Sequence, residues 1–111
     1  SMFGYNILKR SEDLKKIAII VRHHHEWWNG SGYPDGLRGI DIPYSSQILH
    51  VCDAVSAMAT KRVYSDALSL PEIIDELQNG LGKQFSPKVA KYMIKFIQDG
   101  KFEIFFKNIK K

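Results

Sequence analysis

The stretch HHHEWWNGSGYPDGLRGIDIP, residues 23–43, limits what this chain can fold into more than any other feature. Gly30, Gly32, Gly36 and Gly39 free the backbone while Pro34 and Pro43 fix it, so no helix or strand of ordinary length runs through this stretch. A connection of about 15 residues without regular structure is uncommon inside a compact domain, and is usually functional or mobile. The rest of the chain must therefore build a core around a loop. Its 111 residues suffice for one domain with one modest core.

The flanking segments carry the period of helices. Residues 4–9 fit one or two helical turns, and a stronger helix is expected from Ser11, a favourable N-cap, with Glu12 and Asp13 in the first turn. Leu14, Ile17, Ala18 and Val21 follow the helical period, and the same face continues to His24 and His25, which are thereby expected to point inward. After Pro43 a helix is expected from Ser45 or Ser46. Its apolar positions Ile48, Leu49, Cys52, Val55, Met58 and Ala59 predict burial on more than one side. SLPE forms a capping box, with Ser69 as N-cap and Glu72 three positions on, for a helix that runs to about Asn79 and stops at Gly80. Ser86 and Pro87 open a last helix that ends before Gly100, and FEIFF at 102–106 fits either a strand or a buried tail. The expected class is all-α, with four to five helices around one long glycine-rich loop.

Charge and cysteine usage narrow the function. A net charge of +4 permits an anionic ligand such as a nucleotide, but the basic residues are dispersed and form no patch for a nucleic-acid polymer. The single cysteine, Cys52, excludes an internal disulfide and a thiolate cluster, which points to a reducing cytoplasm. No apolar run approaches the length of a membrane span.

The residues able to carry chemistry cluster around the loop. Imidazoles and carboxylates are common ligands of zinc, iron and manganese, and His24, His25 and Asp53 are candidates for that role. Adjacent side chains on a regular helix diverge by about 100°, so His24 and His25 suit two neighbouring ions, or a place where the helix unwinds. The competing reading makes them hydrogen-bonded core histidines. Asp53 sits in a largely apolar helix, His50 precedes it by one turn on the same face, and Asp53 is equally suited to pairing with Arg62. Trp27 and Trp28 either cover the helix end or offer a surface for a base or a partner.

Beyond periodicity, HHEWWNGSGYPDGLRGIDIP resembles the signature of the HD-GYP family, and the likeness continues through ILHVCDAVSAMATKRVYSDALS and EIIDELQNGLGKQFSP over nearly the whole chain. The resemblance implies an all-helical, metal-dependent phosphohydrolase that opens cyclic di-GMP with two or three iron or manganese ions. By it His24, His25 and Asp53 are metal ligands and Arg62 contacts the nucleotide phosphates. Gly32, Tyr33 and Pro34 dock partner proteins, notably GGDEF-type synthases of cyclic di-GMP.

This chain also departs from the pattern. The family's His-Asp dyad lies upstream of HHE, and no histidine of this sequence is followed by aspartate. A further ligand histidine of the family sits in an HP pair four residues before the glycine matched by Gly4, so this sequence is expected to begin just after it. Asn29 stands where the family has aspartate, Ser65 and Asp66 where it has basic residues, and Ser86 where it has another aspartate. Three candidate ligands remain where six or seven are usual. Residues 1–111 are therefore expected to be the C-terminal part of an HD-GYP domain, inactive alone, holding no ion or one weakly bound ion. The alternative is a non-catalytic signalling module that docks partners through the GYP loop. Removing covering helices exposes apolar faces, so a homo-oligomer that buries the helices at 12–25 and 46–60 is expected.

Overall fold

A computed structural model describes the backbone of residues 2–60 and 66–104, with side chains from residue 10 onward. Four α-helices follow one another: α1 (Met2–Arg22), α2 (Tyr44–Ala59), α3 (Leu70–Asn79) and α4 (Pro87–Gln98), with a short 3-10 turn at Gly39–Asp41. Residues 101–104 are helical, so the start of FEIFF is not a strand, and Phe102 is buried. Among the described residues the only extended pairings are isolated bridges, Asn29 with Arg38 and Leu81 with Phe85. The class is all-α.

Local chemistry explains the later helices closely. The Ser69 side chain accepts from the Glu72 backbone amide, and the Glu72 carboxylate accepts from the Ser69 amide, giving the complete capping box of α3. Those bonds hold the Glu72 carboxyl below its ordinary range. The Ser86 hydroxyl accepts from the Val89 amide, with Pro87 in the first helical position of α4. Gly80 ends α3 because the Phe85 ring lies against it: a Cβ there would stand 2.6 Å from the ring. The core is the meeting of α2, α3 and α4, built from Val51, Val55, Ile73, Leu77, Phe85, Val89, Ala90, Ile94, Ile97 and Phe102.

The N-terminal half corrects three expectations. Ser11 does not cap a helix; it lies inside α1, which runs unbroken from Met2. Serine costs only a few tenths of a kcal/mol in a helix interior, and its neighbours Leu8, Lys9, Arg10 and Glu12 tolerate helix well, so nothing stops the earlier turns from joining. The face of Leu14, Ile17, Ala18 and Val21 is exposed rather than buried, with Leu14 64% and Ile17 54% accessible. Helical period shows which residues share a face, not whether a neighbour covers it. On α2 the apolar positions divide in the same way: Val51 and Val55 are fully enclosed, whereas Ile48 and Cys52 are exposed. At its far end α1 is tied to α2, where the buried Ser46 hydroxyl donates to the Ile20 carbonyl at 2.8 Å.

Truncating Leu77 to alanine should cost about 2–5 kcal/mol in urea denaturation, because a fully buried leucine leaves a cavity. Ile40→Ala should stay within about 0.5 kcal/mol, since Ile40 is 90% exposed.

Candidate metal centre

The helix that carries the histidines stops before it reaches them. α1 ends at Arg22, and residues 23–25 form a turn in which the His24 amide bonds to Val21 and the Glu26 amide to His23. This unwinding lets neighbouring imidazoles lie side by side, with the His24 and His25 ring centroids 3.8 Å apart. It also ends the helical period, so His25 is exposed along a cleft rather than pointing into the core.

One carboxylate holds the loop to this turn. Glu26 is buried, and its oxygens accept from His23 Nδ1 at 3.0 Å, from the Asp35 amide at 3.1 Å and from the Leu37 amide at 3.1 Å. Burial alone would raise the Glu26 pKa, but the bonds from His23 and from the backbone of Asp35, Leu37 and Gly36 outweigh it, and the carboxyl titrates below its ordinary value. Arg22 adds a two-pronged pair to Asp35 at 3.0 and 3.1 Å across the same junction. That pair depresses the Asp35 pKa; being exposed, it orders the loop more than it stabilises it. His23, Glu26 and Asp35 bring three possible ligand atoms within 4.8 Å of one another. The Glu26 oxygens are already occupied by N–H donors and Asp35 by a guanidinium, so this group is a hydrogen-bonded lock.

Gly32 is required by the same packing. A Cβ there would run into the His25 carbonyl and the Trp27 amide, and would lie 2.7 Å from the Glu26 Cα. Tyr33 follows, donating its amide to the His25 carbonyl at 3.4 Å and stacking on the His25 ring at 5.0 Å. The loop is fixed on its far side by bonds from the Trp28 and Asn29 amides to the carbonyls of Gln84 and Lys83. Gly32 and Tyr33 thus form one wall of the histidine site, and Pro34 follows at its exposed rim.

The opposite wall is α2. Together they enclose a cleft of about 520 Å³ lined by His24, His25, Trp27, Tyr33, His50 and Asp53 among others. His24 Nδ1 faces the Val21 carbonyl, and a carbonyl only accepts, so Nδ1 carries the proton of the neutral ring. Nε2 is then free, and it lies 3.4 Å from Asp53 Oδ2. Two donors each about 2.1 Å from one ion stand about 3.4 Å apart in a tetrahedral site, so this pair fits a first-row divalent metal. Asp53 is exposed, so its place in an apolar helix carries no desolvation cost. Arg62 lies outside the described residues. Glu26 carries a sequence signal for this role: an acidic residue three positions after His23, ahead of a glycine-rich loop whose amides need acceptors.

His50 lies one turn before Asp53 on α2. Its Nδ1 donates to the His24 carbonyl at 2.7 Å. Burial depresses the His50 pKa against the opposing pull of that bond.

A family model described as an HD domain matches residues 3–89. The chain is 40% identical over 94 residues to a cyclic di-GMP phosphodiesterase of Thermotoga maritima, covering 83% of this chain and 26% of that protein. It is 39% identical to 3'3'-cGAMP-specific phosphodiesterase 2 of Vibrio cholerae, covering 83% of this chain and 18% of that protein. It is 33% identical to the cyclic di-GMP phosphodiesterase response regulator RpfG of Xanthomonas campestris pv. campestris, covering 83% of this chain and 25% of that protein. The chain thus spans about a quarter or less of the length of these curated relatives.

Glu26→Gln should cost about 1–3 kcal/mol for each loop amide left facing an NH2 group, and amide exchange at Asp35 and Leu37 should accelerate. The pH dependence follows from the sign of the shifts. Glu26 and Asp35 both titrate lower in the fold than in the unfolded chain, so their stabilisation is complete above the ordinary carboxylate range and is lost as pH falls from that range through their lowered folded-state values. Melting temperature should drop between about pH 5 and pH 3, and this slope should be shallower in Glu26→Gln.

Proposed function

The chain belongs to the HD domain family, in its HD-GYP branch, and from that premise we propose that residues 1–111 form the C-terminal part of a metal-dependent phosphodiesterase domain acting on cyclic di-GMP. The products would be linear pGpG or GMP. The observation that supports this most directly is the His24 Nε2 lying 3.4 Å from Asp53 Oδ2, with the His25 ring tilted against the His24 ring at 3.8 Å. These three side chains would hold the metal, iron or manganese by their donor chemistry, within a centre of two or three ions in the complete domain. When bound, such ions supply Lewis acidity to a phosphodiester and a source of hydroxide at neutral pH.

The chain's own residues do the rest. Val21 orients the His24 ring, and Tyr33 braces the His25 ring from the loop side. Trp27 and Tyr33, 37% and 62% exposed, offer aromatic faces to a nucleobase entering the cleft. Arg62 would contact the phosphates. The His-Asp dyad typical of the family would complete the centre, and no histidine here is followed by aspartate, so the chain alone would hold one labile ion and would not turn over.

A second reading makes the GYP loop a docking surface for GGDEF-type or other signalling proteins. It is favoured by the exposure of Tyr33 at 62% and Ile40 at 90% on a loop that Glu26 holds rigid. The exposed apolar side chains Leu14, Ile17, Ile19 and Val21 further support a homo-oligomer. No helix among the described residues is long and apolar enough to cross a membrane, and a cytoplasmic location fits the single cysteine.

Calorimetric titration with Mn²⁺ should show weak binding that falls at least about tenfold in His24→Ala and in Asp53→Ala. Cyclic di-GMP incubated with the chain and Mn²⁺ should stay intact; hydrolysis lost on Asp53→Ala would show that the chain is a complete enzyme. Light scattering at high micromolar concentration should report a dimer or larger assembly, and a clean monomer would exclude the oligomer.

A further inference from the structure

Gln84 lines the histidine cleft together with Trp27, and no role has yet been given to its side chain. The residue is half-buried, and among the described residues its carboxamide has no hydrogen-bond partner. Its backbone, by contrast, is held from two directions. Within its own turn the Lys83 and Phe85 amides both donate to the Gly80 carbonyl at 3.0 Å, and the Gly82 amide donates to the Phe85 carbonyl at 3.0 Å. Across to the loop, the Gln84 carbonyl accepts from the Trp28 amide at 3.2 Å, and the Lys83 carbonyl from the Asn29 amide at 2.9 Å. Phe85, the next residue, is buried in the core.

These bonds tie Gln84 to the segment that carries Trp27, so the two side chains enter the cleft from one joined support. The backbone of Gln84 does the structural work, which leaves its carboxamide for whatever enters the cleft. The volume of about 520 Å³ is that of an ordinary small-molecule site. Bases held outside a duplex are read in two ways at once, by an aromatic face and by hydrogen bonds along the Watson–Crick edge. Trp27 supplies the face, and Gln84 supplies one acceptor and two donors.

We infer that Gln84 is the base-reading residue of this cleft, with Trp27 as its stacking face, and that it takes guanine and adenine alike. This rests on the proposed cyclic-dinucleotide cleft and extends it from the phosphates to the bases. With guanine the carboxamide donates to O6 and accepts from N1–H. Turned over, it accepts from the N6 amino group of adenine and donates to N1. A carboxamide fixed by a neighbour would favour one of these pairings, and among the described residues no neighbour fixes this one.

The test is NMR of the full chain at saturating Zn²⁺, titrated separately with guanosine monophosphate and adenosine monophosphate. Each should move the Gln84 side-chain amide resonances and the Trp27 indole N–H, with dissociation constants within about threefold of each other. Gln84→Glu leaves the backbone bonds in place but only accepts. It suits the two donors of guanine at N1 and N2, and should weaken the adenine nucleotide relative to the guanine one at least about fivefold. Equal weakening of both nucleotides in Gln84→Glu would make the residue a packing element and overturn the assignment. Binding of only one nucleotide to the wild type would overturn it as well. If Trp27 responds while the Gln84 amide does not, the base-reading role is wrong and the cleft stands. If neither responds to either nucleotide, the nucleotide cleft itself fails, and Gln84 with it. The wild-type titrations decide the matter even where Gln84→Glu does not fold.

Discussion

A single buried carboxylate determines how the glycine-rich loop folds back on the turn that ends α1. Glu26 accepts from the imidazole of the turn that ends α1 and from two amides of the glycine-rich loop. Without those bonds the loop amides would face a buried acceptor site with nothing in it, and the loop would have no reason to fold back on the histidines. Hydrogen bonds to an ionised acceptor are stronger than neutral ones, and here they are made inside the structure rather than in water. The lock therefore holds the loop even though few apolar side chains of the loop are buried.

What the lock positions is the cleft. Gly32 reaches the backbone of residues 25–27 because it has no side chain, and this brings Tyr33 onto the His25 ring. On the other side, Ser46 fastens α2 to the end of α1, which sets Asp53 and His50 opposite the turn. The site is thus assembled from two walls, joined to each other by the bond from His50 Nδ1 to the His24 carbonyl. The apolar core of α2, α3 and α4 lies beyond α2, and α2 belongs to both. Core packing fixes that helix, and the helix presents its polar side chains to the cleft.

Much of this was legible residue by residue. Ser69 with Glu72, Ser86 with Pro87, and Gly80 act on backbone groups within four or five positions, so the chain itself names the helix boundaries. The glycine-rich loop was equally plain, and the family resemblance pointed to His24, His25 and Asp53 as candidate ligands. The error over Ser11 has a physical origin: a residue that caps well is also tolerated inside a helix, and only the conformation of the turn before it decides which role it takes. Burial was misjudged on α1 because amphipathic period says that a face is apolar without saying what lies against it.

The sequence by itself determined the helical class, the loop, the caps of α3 and α4, and the family to which the chain belongs. These depend on local bonding and on residue order, both of which are written in the chain. Only the tertiary structure decided that α1 unwinds at His23, that Glu26 is a lock rather than a ligand, and that His24 Nε2 faces Asp53. It alone showed His50 with a nitrogen left unpaired. Residues 26 and 37, or 24 and 53, meet only when separate segments pack together, and no period or spacing encodes which atom of an imidazole will face which neighbour.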